Sequence, residues 1–232
     1  MNDDLARYST SESALEMALS YAKEKYGAAT KMIKLRDLQF RHCEGYYSQH
    51  MHACTWPCSV TEMDMNDGMT QVYRDMVLWA DIVLLATPIR WGNASSLYYK
   101  MAERLNTVQN QITINNKVLI HNKVASFIIT GGQDNIQAVA GQLMCFFTDL
   151  GFTFPPFSFL GWSRGWTSED MDKNVLQFKK SEYIKRTVEE ITDNCVETLA
   201  QIKKIGYDKI IPPKPHKKDS FSADVENQGM NL

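Results

Sequence analysis

The sequence predicts an α/β fold in which a parallel sheet is covered by helices on both faces. Three observations carry this. Two uninterrupted apolar runs, Asp81–Thr87 and Val124–Ile129, read as strands buried on both sides. Segments with apolar residues at helical spacing precede and follow each run. Strand and helix patterns alternate along the chain, the rhythm of parallel rather than hairpin-connected sheets.

Taken in order, the first helix runs over Ser13–Tyr26, with Leu15, Ala18, Leu19 and Ala22 on one face. The hydroxyl-rich stretch Ser9-Thr10-Ser11-Glu12-Ser13 leads into it and is dense in residues that cap helix N-termini. Thr30–Leu35, with Met32, Ile33 and Leu35, is expected to be a short strand. Residues 36–67 lose periodicity and form an insert or lid carrying Cys43, Cys54 and Cys58 with His42, His50 and His52. Met69, Val72, Tyr73, Met76 and Val77 mark a helix before the first buried run. Leu97, Tyr98, Met101 and Leu105 mark another after it. Ile136, Val139, Ala140, Leu143, Met144 and Phe147 give the clearest helical stripe. Phe152–Trp162 is aromatic and apolar but contains Pro155-Pro156, which suits an edge strand. Ile184, Val188, Ile191, Cys195 and Leu199 define a final helix. One domain over residues 1–205 and a polar tail over 206–232 follow, the tail carrying Pro212-Pro213-Lys214-Pro215 and Lys217-Lys218.

Composition narrows the function. The chain of 232 residues is 44% hydrophobic with a formal net charge of −2, which argues for a globular body without the clustered Lys and Arg that nucleic acid binding needs. No apolar run approaches the ~18 residues of a membrane span, and the acidic start Met1-Asn2-Asp3-Asp4 is unlike a secretory signal. Five cysteines, an odd number, do not suggest a disulfide framework, so a reducing, cytoplasmic setting is expected. Cys145 and Cys195 fall on apolar helix faces and are expected in the core.

In open parallel sheets, ligands bind beyond the carboxyl ends of the strands. The loop Thr87-Pro88-Ile89-Arg90-Trp91-Gly92-Asn93-Ala94-Ser95 follows the first buried run. Gly92 permits close backbone approach, and Trp91 offers a flat apolar surface. An ordinary turn with Asn93 or Ser95 capping the next helix fits the same residues. Thr130-Gly131-Gly132-Gln133-Asp134 follows the second run, and its glycines allow exposed backbone N–H groups, or again a plain turn capped by Asp134 or Asn135. The hydroxyls before the first helix suit a phosphate at a helix N-terminus. They also suit a capping box between Ser9 and Glu12.

Together these residues resemble a known family. Ala80–Ser95, with its Thr-Pro and Trp-Gly-Asn, is similar to the strand and flavin loop of NAD(P)H-dependent FMN reductases. Thr130-Gly131-Gly132 resembles their second flavin loop, and Ser11-Glu12-Ser13-Ala14-Leu15 the end of their phosphate loop. Cys43-Glu44-Gly45 through Cys54–Ser59 resembles a cysteine-containing insert of one branch. The similarity covers roughly Ser9 to Leu160 and implies a flavodoxin-like three-layer α/β/α fold. It implies FMN as cofactor, held by Thr10, Ser11 and Ser13 at its phosphate, by Pro88, Ile89, Arg90, Trp91, Gly92 and Asn93 at the ring, and by Thr130, Gly131, Gly132 and Gln133 at another edge. It also implies hydride transfer from NAD(P)H to flavin, onward transfer to a small-molecule or protein acceptor, and a homo-oligomer, with no catalytic protein nucleophile or acid–base pair.

Two departures stand out. The family's first strand, central in the sheet, has no counterpart in the polar Met1–Tyr8, and Glu12 stands where the family often has Asn. A flavodoxin-like electron carrier, or a truncated member with impaired flavin binding, therefore stays an alternative to a reductase. A receiver domain fits poorly, since Leu85-Ala86-Thr87-Pro88 offers no acceptor Asp. The insert lacks the four-cysteine run of an iron–sulfur cluster. Zinc held by three cysteines and one histidine is chemically possible, but the spacing matches no standard pattern. A lid with Trp56-Pro57 packed near the flavin or across a dimer contact suits it better.

Overall fold

A computed structural model describes residues 9–131, 135–163, 167 and 174–205. Helix α1 (Thr10–Tyr26) starts at Ser9, whose hydroxyl accepts from the Glu12 N–H, and stops at Gly27, whose φ of 63° supplies the left-handed cap. After the insert come α2 (Ser59–Met63) and α3 (Met69–Val72), which continues as a π-helical stretch over Tyr73–Trp79. Strand β1 (Ile82–Pro88), α4 (Ser96–Thr113), β2 (Val124–Gly131), α5 (Ile136–Leu150) and β3 (Phe159–Ser163) alternate as expected. Helices α6 (Asn174–Lys180) and α7 (Glu182–Ile205) close the described chain.

The sheet is parallel, in the order β1-β2-β3. Alternate residues of each strand face opposite layers. Ala125, Phe127 and Ile129 of β2 pack with Leu105, Val139 and Phe147 of α4 and α5, while Ile128 packs with Ala14, Ala18 and Val188 of α1 and α7. This is the three-layer arrangement predicted. β2 is buried almost throughout, whereas β1 is only half-buried, because its outer edge has no neighbouring strand among the described residues.

Three expectations need correcting. Thr30–Leu35 is not a strand: residues 27–34 are irregular and a 3-10 turn covers Leu35–Asp37. Its apolar side chains are strand-like, but no strand lies beside it to supply hydrogen bonds. Cys145 is exposed on α5, one position off the buried stripe, while Cys195 is buried. The strand predicted over Phe152–Trp162 begins only at Phe159, with Thr153 forming an isolated bridge to Val124. The proposed absence of a first strand concerns Met1–Tyr8, and the predicted tail 206–232; both lie outside the described residues.

The insert is anchored rather than loose. Asn110 Nδ2 donates to the Cys54 carbonyl at 2.9 Å, Gln111 Nε2 to that of Trp56 at 2.9 Å, and Thr107 Oγ1 to that of Thr55, so one face of α4 holds residues 54–56. Trp56 packs edge-on against Tyr73 at 5.0 Å. Beneath it, the buried Arg104 guanidinium pairs with Asp67 through two 3.1 Å contacts and donates to Thr61 Oγ1 at 2.7 Å and the Arg41 carbonyl at 2.9 Å.

Candidate active site

A cleft of about 1270 Å³ opens at the carboxyl ends of β1 and β2. Its walls come from the start of α1 (Ser9, Thr10, Ser11), the ends of the strands (Pro88, Arg90, Thr130, Gly131), and the segment carrying Lys34 and Arg36. The hydroxyl of Thr10 donates to that of Thr130 at 3.0 Å, tying the helix start to the end of β2. Sequence positions 120 apart thus share one polar corner.

The first turn of a helix leaves N–H groups without intrahelical acceptors. Here the Glu12 N–H is taken by Ser9 Oγ at 3.2 Å and the Ser13 N–H by the Ser9 carbonyl at 3.0 Å. Those of Thr10 and Ser11 have no acceptor among the described residues. Half of the capping box forms: the Glu12 side chain does not return to Ser9 but pairs with Lys34 Nζ and, at 3.4 Å, with Arg36. The carboxylate raises the Lys34 pKa through that hydrogen bond. Arg36 also pairs with Asp37 at 3.3 Å, so two bases balance two acids beside the helix start and the Glu12 charge is neutralised rather than left facing the corner. Lys179 of α6 adds another cation.

The loop after β1 turns back tightly. Arg90 N–H donates to the Asn93 carbonyl at 2.7 Å and Asn93 N–H to the Arg90 carbonyl at 3.0 Å. Trp91 and Gly92 between them have φ of 50° and 74°, as a two-residue turn of this hand requires. Holding a Trp in the left-handed region costs energy, and its side chain is 92% exposed. Asn93 Nδ2 closes onto the Trp91 carbonyl at 3.0 Å, and Asn135 Nδ2 donates to the Gly92 carbonyl, pinning the tip to the start of α5. Ser95 is the cap of α4.

Of the residues singled out in the sequence, Thr10, Ser11, Pro88, Arg90, Thr130 and Gly131 meet at the cleft. Ser13 and Ile89 are buried behind it. Ile89 backs Gly131, where an added Cβ would lie 2.8 Å from its own Cβ. Trp91, Gly92 and Asn93 form the exposed turn above rather than the cleft wall. Gly132 and Gln133 lie outside the described residues. Lys34 and Arg36 were not singled out, although Lys-x-Arg directly after Ile33 marks basic side chains at the end of an apolar segment. Trp56 does not reach the cleft: it belongs to the core side of the insert. Burial raises the Cys54 pKa, the opposite of an activated thiol. Among the described residues no three His, Cys, Asp or Glu side chains gather in a metal-binding arrangement.

The family model described as NADPH-dependent FMN reductase matches residues 4–167. Among solved structures, the chain is similar to RosB bound to 8-demethyl-8-formylriboflavin-5'-phosphate, with TM-score 0.65 and 17% identity, covering 100% of this chain and 85% of that one. It is also similar to the NADH:FMN oxidoreductase EMOB in its apo form, with TM-score 0.53, 15% identity and 84% of each chain covered. A third is an azoreductase from Bacillus anthracis, with TM-score 0.52 and 15% identity, covering 88% of this chain and 95% of that one. These likenesses show the flavodoxin-like fold. A curated relative, the divalent metal cation transporter MntH of Mycobacterium bovis, is 28% identical over 107 residues; the match takes in 46% of this chain but only 16% of that protein's length. No helix among the described residues is long and apolar enough to cross a membrane.

Proposed function

Because the chain belongs to the NADPH-dependent FMN reductase family, we propose that it is an oxidoreductase binding FMN in this cleft, with NAD(P)H as reductant. The observation that carries the reading is the polar corner. Free N–H groups at Thr10 and Ser11, two hydroxyls and the Lys34–Arg36 wall form a donor set suited to a phosphate dianion. The volume exceeds what a mononucleotide needs. Pro88 and Gly131 supply the low, side-chain-poor walls that a flat ring system can approach.

FMN, when bound, supplies the hydride-accepting and electron-donating chemistry. The protein's residues bind and orient it. Thr10, Ser11, Lys34 and Arg36 would hold the phosphate, while Pro88, Arg90, Thr130 and Gly131 would border the ring. Arg90 is exposed, with Nη1 on the Ile89 carbonyl at 3.1 Å, and is free to turn its positive charge toward the negative charge that develops on reduction. A cytosolic setting is supported by five cysteines that are all free.

Mixing purified protein with FMN and NADPH under anaerobic conditions tests the reductase reading. Protein-dependent bleaching of the flavin band is expected. Bound flavin that NAD(P)H does not bleach would replace the reductase with an electron carrier. Arg90→Ala is expected to slow reduction about tenfold, about 1.4 kcal/mol, while changing FMN affinity much less. Equal stopped-flow reduction rates in variant and parent would remove Arg90 from this role.

A further inference from the structure

The insert carries thiols that the proposed cofactor site does not use, and α4 draws their segments together. Arg104 Nη1 donates to the Arg41 carbonyl at 2.9 Å, just before Cys43. Asn106 Nδ2 donates to the Cys54 sulfur at 3.4 Å, and Asn110 Nδ2 to the Cys54 carbonyl at 2.9 Å. The chain therefore leaves α4 beside Cys43 and returns to it at Cys54, within the stretch 104–110 of one helix. Cys58, at the start of α2, faces Tyr73 and Arg104 instead.

Cys54 is the sulfur common to the group. The Cys43 and Cys58 thiols both act on it electrostatically, Cys43 the more strongly. Access separates their roles. Cys43 is half-buried, whereas Cys54 and Cys58 are buried. Susceptibility to oxidation rises with exposure, so Cys43 meets a soluble oxidant first. Burial raises the Cys54 pKa and keeps that thiol protonated, which suits the sulfur that answers second. All three cysteines are free, and among the described residues they do not gather for a metal ion. Thiol redox chemistry is the chemistry left to them.

We propose that Cys43 and Cys54 form a redox-modification site, oxidised by hydrogen peroxide to a reversible disulfide that closes the insert over residues 43–54. The Cys43 sulfur attacks peroxide: an S–O bond forms, the O–O bond breaks, and the thiol proton leaves with the departing hydroxide as water. The Cys54 sulfur then attacks the Cys43 sulfenic acid: the S–S bond forms, the S–O bond breaks, and the Cys54 proton leaves with the hydroxyl as a second water. Two thiols give up two electrons, and one peroxide is reduced to two waters. A thiol reductant reverses the bond by exchange.

The test is exposure of the full chain to an about tenfold excess of hydrogen peroxide, alkylation of the remaining thiols, and peptide mapping. Cleavage after Tyr46 and Tyr47 separates Cys43 from Cys54 and Cys58. A Cys43–Cys54 crosslink is expected, opened by dithiothreitol, absent in Cys43→Ser and retained in Cys58→Ser. The thermal midpoint of the oxidised chain is expected to rise by several degrees, because the bond closes a loop whose ends α4 already holds. Cys43→Ser treated in the same way should show no rise, which separates the effect from oxidation at the exposed Cys145. A crosslink between Cys54 and Cys58 in place of this one overturns the proposal. So does oxidation of Cys43 without a crosslink, an unreacted Cys43, or a crosslink that lowers the midpoint.

Discussion

Replacing Asp67 by Asn is expected to destabilise the fold by about 3–5 kcal/mol, because it strands a buried guanidinium without its counter-charge. Arg104 and Asp67 are both wholly buried, and the guanidinium's Nη1 and Nη2 are paired while its Nε has no partner among the described residues. Asp67 also accepts from the Arg41 and Met69 backbone N–H groups at 2.9 and 3.0 Å. Burial alone would raise its pKa; the Arg104 hydrogen bonds and these two N–H groups outweigh burial and hold the carboxyl below its ordinary range. A carboxylate whose folded pKa is depressed contributes stability above its unfolded value, about 4, and loses that contribution as pH falls through the lower folded value. The parent should therefore lose stability on acidification below about pH 4, and Asp67→Asn should lose less over the same range. Urea midpoints with an unchanged slope would measure both effects. An unchanged midpoint in Asp67→Asn would show that the pair contributes nothing net.

The second large effect is expected at Gly131. Its φ does not require glycine, but its Cα faces Ile89, and a Cβ would approach Ile89 Cβ, Cγ1 and Cδ1 at 2.8, 3.2 and 3.3 Å. Ile89 is buried and bonded through its N–H to the Thr130 carbonyl at 2.7 Å, so it has little room to retreat. Gly131→Ala should force the loops after β1 and β2 apart. The expected cost is about 1–3 kcal/mol of stability, with FMN binding weakened about tenfold. Adding Ile89→Gly, which removes the Cβ that the new side chain at position 131 would meet at 2.8 Å, should restore part of the affinity, since contacting sites couple. Additive losses in the double variant would show that the contact does not set the cleft geometry.

The parts of this structure that were legible in the sequence are those where one segment carries its own signal. β1 and β2 are uninterrupted apolar runs, and α5 repeats its stripe over four turns. The Trp91–Gly92 turn was visible as a loop after a strand, but not as an exposed tip. Properties that depend on a distant partner were not legible. Met32 and Ile33 look like a strand, yet a strand needs a neighbour, and none lies beside them among the described residues. Arg104 sits among Met101, Leu105 and Val108 as an ordinary basic residue, and only the fold brings Asp67 to it from 37 positions away. Glu12 suited a capping box with Ser9 in the sequence, but its side chain pairs with Lys34 and Arg36 instead, and no local pattern announces an ion pair across 22 residues.

The proposed FMN site divides its roles between segments of the cleft. The start of α1 and the Lys34–Arg36 segment supply charge and donors. The ends of β1 and β2 supply walls with little side-chain bulk. That division makes a quantitative claim, that the phosphate contributes most of the selectivity for the cofactor.

Parallel titrations of the protein with FMN and with riboflavin test this claim directly, because the two ligands differ only in the phosphate. Binding of FMN at least tenfold tighter than riboflavin, with the advantage shrinking as salt is raised, is the predicted result. Equal affinities, or an advantage insensitive to salt, would contradict the placement of the phosphate at Thr10, Ser11, Lys34 and Arg36.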